Sequence, residues 1–274
     1  MSVARHNAML LIFAAGVAAL LGAACSSEPG PGTRTPPAQE RSRGQDRSPA
    51  PAPRGSHGGG GSSCPNATEI AGDSEARTGG VVRGDVTGDG TPDEVWLALD
   101  RSAPRGCRAL VVARSAGATD VLSLGPRTIA PSPNPPAISS LAAVDDRAGL
   151  DVVVDLEAGA STSFAGVFSF GGGSPARLGG PGGSSSVTRD LFAYGGSVGH
   201  LEGVDCAGEA GSGRIVVSTA VPRGDRYLVT RRFFQTEDSK LRPLAELRQR
   251  LVVSPRRVGK MPGLVPSPFP SCRA

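Results

Sequence analysis

The chain has 274 residues, of which 39 are glycine, 24 are proline and only 4% are aromatic. This composition excludes a helical bundle and a coiled coil, yet 38% hydrophobic residues suffice for one globular domain. The net charge of +4 resides in the tails, because residues 64–272 contain 22 basic and 22 acidic side chains. A neutral domain gives no electrostatic support to nucleic-acid binding, and we expect none.

The first 24 residues have the pattern of an export signal. Arg5 precedes an apolar run from Met9 to Ala24, and small residues precede Cys25. The motif at the end of this run resembles the lipobox of bacterial lipoproteins, although Gly22 stands where leucine is usual: Leu21-Gly22-Ala23-Ala24-Cys25. The resemblance implies cleavage before Cys25, a lipid on its thiol, and a membrane anchor at the outer face of the cell membrane. A plain signal peptide or an uncleaved anchor is the alternative.

Residues 25–63 are predicted to be the lipidated cysteine followed by a disordered tether. Residues 26–63 contain no Ile, Leu, Val, Phe, Tyr or Trp and are rich in proline, glycine and serine. Such a segment cannot bury enough apolar surface to offset the entropy cost of ordering it. The tether would separate the membrane from a folded domain at residues 64–272.

The folded domain contains three similar segments with a period near 60, marked by Asp85, Asp145 and Asp205. After each aspartate come short runs rich in β-branched residues and bounded by Gly, Asp or Pro, which is typical of strands. The pattern predicts an all-β domain of repeated antiparallel sheet units of about 60 residues. The units would form a β-propeller-like or open β-array. Residues 64–80 and 246–272 would complete a fourth unit, or the sheets would pack as an open array or sandwich.

One short helix is predicted at residues 244–251. Leu244, Leu247 and Leu251 would share a face of that helix.

The loop at residues 85–93 has the ligand order of a calcium-binding loop. Side-chain oxygens stand at its first, third, fifth and ninth positions, a glycine stands at the sixth, and the seventh offers a carbonyl. A helical EF-hand is not expected, because Trp96 occupies the twelfth position and a strand follows. An aspartate-rich turn without metal is the alternative.

The same stretch resembles the FG-GAP or VCBS-type repeats of integrin-like β-propellers, as found in secreted lipoproteins of high-GC Gram-positive bacteria. Those repeats hold Ca²⁺ in a nine-residue loop between strands. The resemblance implies one structural Ca²⁺, held by four side chains and the carbonyl of Thr91: Asp85, Thr87, Asp89 and Asp93. The loop of the second unit is two residues shorter and has Arg147 in a ligand position, and the third unit lacks the aspartate series, so one site is expected.

Four cysteines remain in the folded domain, and an even number in an exported domain favours two disulfides. Three pairings are possible. We expect Cys64–Cys107 and Cys206–Cys272, because each would join one end of the domain to a nearby unit.

The sequence favours a non-enzymatic binding or interaction module at the cell envelope, with an unknown protein or glycan as its partner. His200 is the only histidine within the domain, which excludes a zinc site of several histidines. The alternative is a glycan-directed hydrolase or lyase that uses paired carboxylates. Its candidate residues are Asp145, Asp146 and Asp151.

Overall fold

A computed structural model describes residues 64, 67–125, 135–159, 161–182, 190–197, 199–264 and 266–273. They all belong to one compact unit, Pro53–Ala274. The predicted signal at 1–24, Cys25 and the predicted tether lie outside the described residues. Among the described helices, none is both long and apolar enough to span a membrane.

The described elements are mainly β-strands, as predicted. Two short α-helices are α1 (Ala67–Gly72) and α2 (Pro255–Val258), and two 3-10 turns lie at Arg105–Cys107 and Pro270–Cys272. The strands are β1 (Arg77–Gly84), β2 (Asp93–Leu99), β3 (Ala109–Arg114), β4 (Thr119–Ser123), β5 (Ala137–Ala142), β6 (Asp151–Ala158), β7 (Thr162–Ser169), β8 (Ala176–Leu178), β9 (Phe192–Ser197), β10 (His200–Cys206), β11 (Arg214–Arg223), β12 (Arg226–Glu237) and β13 (Lys240–Val253).

The described strands form two antiparallel sheets. The first has the order β1-β2-β3-β4, and the second has the order β13-β12-β11-β10-β9-β7-β6-β5. Strand β8 pairs with the end of β7, beside the part of β7 that pairs with β9. Each sheet ends in edge strands, so neither closes on itself within the described residues.

The core lies on both faces of the central strand β6. Val152 and Val154 belong to an apolar cluster with Leu97 and Val111 of the first sheet. Val153 lies on the opposite face, in a second cluster that includes residues of β9 to β12. Burial on both faces explains why β6 is continuously apolar at its start instead of alternating.

Both predicted disulfides are present in the structure. Cys64–Cys107 joins the chain before α1 to the apolar outer face of the first sheet, where Trp96 is buried. Cys206–Cys272 joins the end of β10 to the C-terminal turn. The expected pairing is therefore confirmed.

The predicted helix at 244–251 is wrong, because these residues belong to β13. Their leucine spacing follows from an irregularity in the ladder with β12: Phe233 is opposite Leu244, yet Arg231 is opposite Gln249. The additional residues of β13 at this bulge interrupt the two-residue alternation. The leucines consequently appear three and four residues apart, as they would on one face of a helix.

Candidate metal centre

Three entry loops of equal length connect the paired strands of the three units. The strand pairs that close them are Gly84–Asp93, Ala142–Asp151 and Cys206–Ile215, each separated by nine positions. The expectation that the second loop is shorter is therefore wrong. The structural counterpart of Asp85 is Ala143, while Asp145 corresponds to Thr87. An alignment of the units on Asp85 and Asp145 is therefore wrong by two residues.

Asp93 anchors the first entry loop, residues 85–92, from the start of β2. Its side chain is buried, and its Oδ2 accepts hydrogen bonds from the amides of Val86 and Thr87, both at 2.9 Å. The Thr87 hydroxyl donates to the same oxygen at 3.1 Å. Its Oδ1 is also buried but has no hydrogen-bond partner. A buried carboxylate oxygen without a donor is costly unless another positive group meets it.

The other acidic side chains of the loop accept hydrogen bonds from its own backbone. Asp85 accepts from the amides of Gly88, Asp89 and Gly90 at 2.7–3.1 Å. Asp89 accepts from the amide of Thr91 at 2.7 Å. A carboxylate has about four lone-pair sites, so these bonds shape the turn and leave acceptor capacity on both aspartates.

Four of the five predicted ligand residues thus lie in this loop and the fifth, Asp93, begins β2, but their carboxylates do not form a ready-made cage. Within the described part of the chain, no group of three or more His, Cys, Asp or Glu side chains is positioned to hold a metal ion. The surroundings are nevertheless acidic. Burial, and secondly the negative charge of Asp93, raises the pKa of Asp120 on strand β4.

The second entry loop, residues 143–150, repeats the anchor of the first. Asp151 Oδ2 accepts from the amides of Val144 and Asp145 at 2.9 and 3.0 Å, as Asp93 does from Val86 and Thr87. Sequence reasoning missed this equivalence. The shared separation of seven residues between a valine and the anchoring aspartate was the signal that could have revealed it.

The carboxylates around Asp151, the anchor of the second loop, have raised pKa values. Burial, and secondly the charge of Asp145, raises the pKa of Asp151 to about 7, although amide hydrogen bonds oppose the rise. Burial also raises the pKa of Asp145, whose Oδ2 is buried without a partner. At the position of Asp89 stands Arg147, which donates to the carbonyl of Ser174 at 2.8 Å. The Asp145–Asp151 pair therefore keeps a proton to a higher pH than an exposed aspartate does.

The first two entry loops pack directly against each other. The amide of Leu150 donates to the carbonyl of Asp85 at 2.7 Å. A Cβ on Gly88 would lie 2.6 Å from the Cβ of Ala148, and one on Gly149 would lie 2.7 Å from the amide nitrogen of Gly88. Both glycines have positive φ, +75° and +90°. Small residues at these positions allow the backbones to approach.

At the third entry loop, the C-terminal segment binds the strand that precedes the loop instead. Asp205 is buried, and its carboxylate accepts from the backbone amide and the hydroxyl of Ser271, both at 2.8 Å. Ile215 occupies the position of Asp93 and Asp151. The third loop therefore lacks the anchoring carboxylate, in agreement with the expectation that it lacks the aspartate series.

The candidate hydrolase residues do not share an open cleft. Asp145 and Asp151 are 3% and 1% exposed, so a glycan cannot reach them, whereas Asp146 is exposed and accepts from the hydroxyl of Thr236. His200 is hydrogen-bonded to the Thr162 hydroxyl at 3.0 Å. This geometry offers no accessible pair of carboxylates for glycosidic chemistry.

Comparisons with known proteins return no relatives. No family model matches the chain, and neither the curated proteins nor the solved structures include a significant match.

Proposed function

We propose that the protein is a lipoprotein of the bacterial cell envelope whose β domain is a non-enzymatic binding module stabilised by one Ca²⁺. The observation that carries the calcium assignment is Asp93 Oδ1, a buried carboxylate oxygen without a donor inside an acidic loop. The assignment of a membrane anchor rests on the lipobox-like sequence that ends at Cys25. The partner is an envelope protein or glycan.

Asp93 and Asp85 are the principal residues that would hold the ion. Asp93 would offer its unpartnered Oδ1, and Asp85 the acceptor capacity left by its amide bonds. Asp89 and Thr87 supply further side-chain oxygens, and Thr91 a carbonyl. Oxygen donors of this number and charge suit a hard cation such as Ca²⁺. Since the anchor Asp93 belongs to β2, the ion would connect the loop to the first sheet.

The first two units would correspond to successive blades of an open β-propeller-like array, whereas the third unit continues the sheet of the second through the pairing of β7 with β9. The first sheet is a four-stranded antiparallel meander, β5 to β8 repeat that order, and the entry loops of both units have the same length. The apolar faces of these two units share one cluster. Such stacked units position their loops on one surface, which suits a binding module.

Calcium dependence of thermal stability tests the metal assignment. With a Kd of about 0.1 mM and about 1 mM Ca²⁺, binding contributes about 1.4 kcal/mol, which corresponds to roughly 3–5 °C in Tm. EDTA is expected to lower the Tm by this amount. Asp89→Ala should abolish the response, whereas Asp225→Ala, which removes an exposed aspartate from the β11–β12 turn, should retain it. An EDTA-insensitive melt of the unmodified protein would refute the site.

The membrane anchor at Cys25 has a separate test. Cys25→Ser should release the protein from salt-washed membranes, because an unmodified serine cannot carry the lipid and salt weakens any remaining electrostatic attachment. Retention of Cys25→Ser on membranes after a high-salt wash would contradict lipidation. A pull-down from an envelope extract with the chain from residue 26 onward should recover a protein or glycan that survives a salt wash, and no recovery would count against the binding module.

A further inference from the structure

The neutral charge of the folded domain conceals a strong separation of charge. Residues 64–213 contain 10 basic and 18 acidic side chains, whereas residues 214–272 contain 12 basic and only 4 acidic ones. The two parts therefore carry formal charges of −8 and +8. The positive part consists of β11, β12, β13 and the segment that follows them.

The positive charge of this part is largely uncompensated by ion pairs. Among its described side chains, only Arg242 forms one, with Glu237 at 3.5 Å, and both partners are exposed to solvent. Arg223, Arg226 and Arg250 are exposed and have no ion-pair partner within the described residues. Their charges are thus available to an anionic partner.

These arginines lie on the same face of the sheet as an exposed apolar row. Residues directly opposite each other on antiparallel strands point to the same face. The register places Val221 opposite Leu228 and Leu228 opposite Val252, which forms a row across β11, β12 and β13. Val221 and Val252 are 45% and 49% exposed.

Cationic residues flank this row on both sides. Arg223 is opposite Arg226, two residues beyond the apolar row, and Arg250 lies two residues before Val252 on the same face. We call this set the ribbon face: Val221, Arg223, Arg226, Leu228, Arg250 and Val252. Acidic residues beside this set are Asp225 in the turn, Glu246 earlier in β13, and Glu202, which is opposite Thr219 on the neighbouring strand β10.

We propose that the ribbon face docks directly on a bilayer surface that contains anionic lipids. Arginines beside exposed aliphatic side chains match a membrane interface, where phosphate headgroups lie next to hydrocarbon. A soluble anionic polymer would use the arginines but leave the aliphatic row exposed to water. A second copy would bring arginine against arginine if the ribbon faces met.

This docking is independent of the proposed lipid on Cys25. It is tested with the chain from residue 26 onward, which keeps every described residue and lacks both the apolar run and the cysteine. Co-sedimentation is measured with vesicles of mixed phosphatidylglycerol and phosphatidylcholine, and with phosphatidylcholine alone. Binding is expected to the mixed vesicles only and to weaken as salt is added.

Two double variants separate the charge from the apolar row. Arg223→Gln with Arg226→Gln should weaken binding about fivefold per arginine, or roughly 25-fold together. Val221→Thr with Val252→Thr keeps the β-branched shape and should weaken binding roughly fivefold without changing the salt dependence. Arg101→Gln with Arg105→Gln removes two exposed arginines from the β2–β3 connection and should leave binding unchanged.

Three outcomes would overturn the proposal. The first is an absence of binding to the mixed vesicles. The second is equal binding to soluble polyglutamate with no effect of the valine substitutions, which would identify a polymeric anion as the partner. The third is a dimer in sedimentation equilibrium that the valine substitutions dissociate, which would identify the face as an interface between copies. Loss of Cys25-dependent anchoring alone would affect the proposed function but not this docking.

Discussion

The first and second entry loops have the same length and the same backbone anchor, but they compensate the negative charge of the buried aspartate in two different ways. In each, an aspartate at the start of a buried strand accepts two amide hydrogen bonds from residues seven and six positions earlier. The first loop adds the Thr87 hydroxyl and further carboxylates, so a cation would complete it. The second has Asp145 instead, and burial raises the pKa of Asp151 to about 7, so this buried pair loses its proton only near neutral pH.

The difference shows that the anchor is structural and the neighbouring residues decide its chemistry. Ala143 and Arg147 in the second loop replace Asp85 and Asp89, which removes two of the proposed calcium ligands. Calcium binding is therefore expected of the first loop only, even though the backbone of both loops is anchored alike.

The largest effect is expected where the two loops touch. Gly149→Ala would place a Cβ 2.7–2.9 Å from the backbone of Val86 and Gly88 at a φ of +90°. We expect a loss of about 4 kcal/mol in the free energy of unfolding, from strain and overpacking together. Urea unfolding measures it. Gly90→Ala is the control, because its φ is +86° but no atom lies within 4 Å; it should cost only about 1 kcal/mol. Equal losses would show that the contact between the loops contributes nothing.

The second prediction concerns the pH dependence that distinguishes the second loop. The pKa of Asp151 is raised from 3.8 to about 7, so its favourable contribution is complete below about pH 4 and is lost as pH rises through 7. We expect the protein to be more stable at about pH 5 than at about pH 8, by on the order of 3 kcal/mol.

Asp151→Asn keeps an acceptor for the amides and should flatten most of this dependence. The variant should therefore be more stable than the unmodified protein at the higher pH. Asp225→Asn, at an exposed turn, should leave the dependence unchanged. Unfolding curves at several pH values provide the measurement, and an undiminished slope in Asp151→Asn would contradict the raised pKa.

The smallest effect is expected at Thr87, the counterpart of Asp145. Thr87→Val removes the hydroxyl that donates to Asp93 Oδ2 and should destabilise the protein by about 1 kcal/mol in EDTA, where bound calcium does not contribute. Thr91→Val, at an exposed position of the same loop, should change stability by less than about 0.5 kcal/mol. Indistinguishable melts of the two variants would show that the Thr87 hydroxyl does not stabilise the loop.

The sequence predicted the strand runs and both disulfides, because β-branched runs and an even cysteine set are local signals. It missed β1, β5, β9 and β10, whose small and polar residues carry little strand signal. It also mistook part of β13 for a helix, since a bulge changes the side-chain period. The equivalence of Asp93 and Asp151 depends on strand register, which long-range pairing determines. Burial of Asp145 likewise depends on packing between units.

The C-terminal turn has a consequence for the order in which the domain can fold. Phe269 is fully buried and stacks edge-on against Phe192, and Cys272 is bonded to a partner 66 residues earlier. The four-stranded first sheet, in contrast, needs only the chain up to Ser123 and has local connections. Because its strands are connected locally, this sheet can pair before residues 269–272 have joined the core. The cluster around Phe269 is therefore expected to be completed later than the first sheet, because its contacts are distant in sequence.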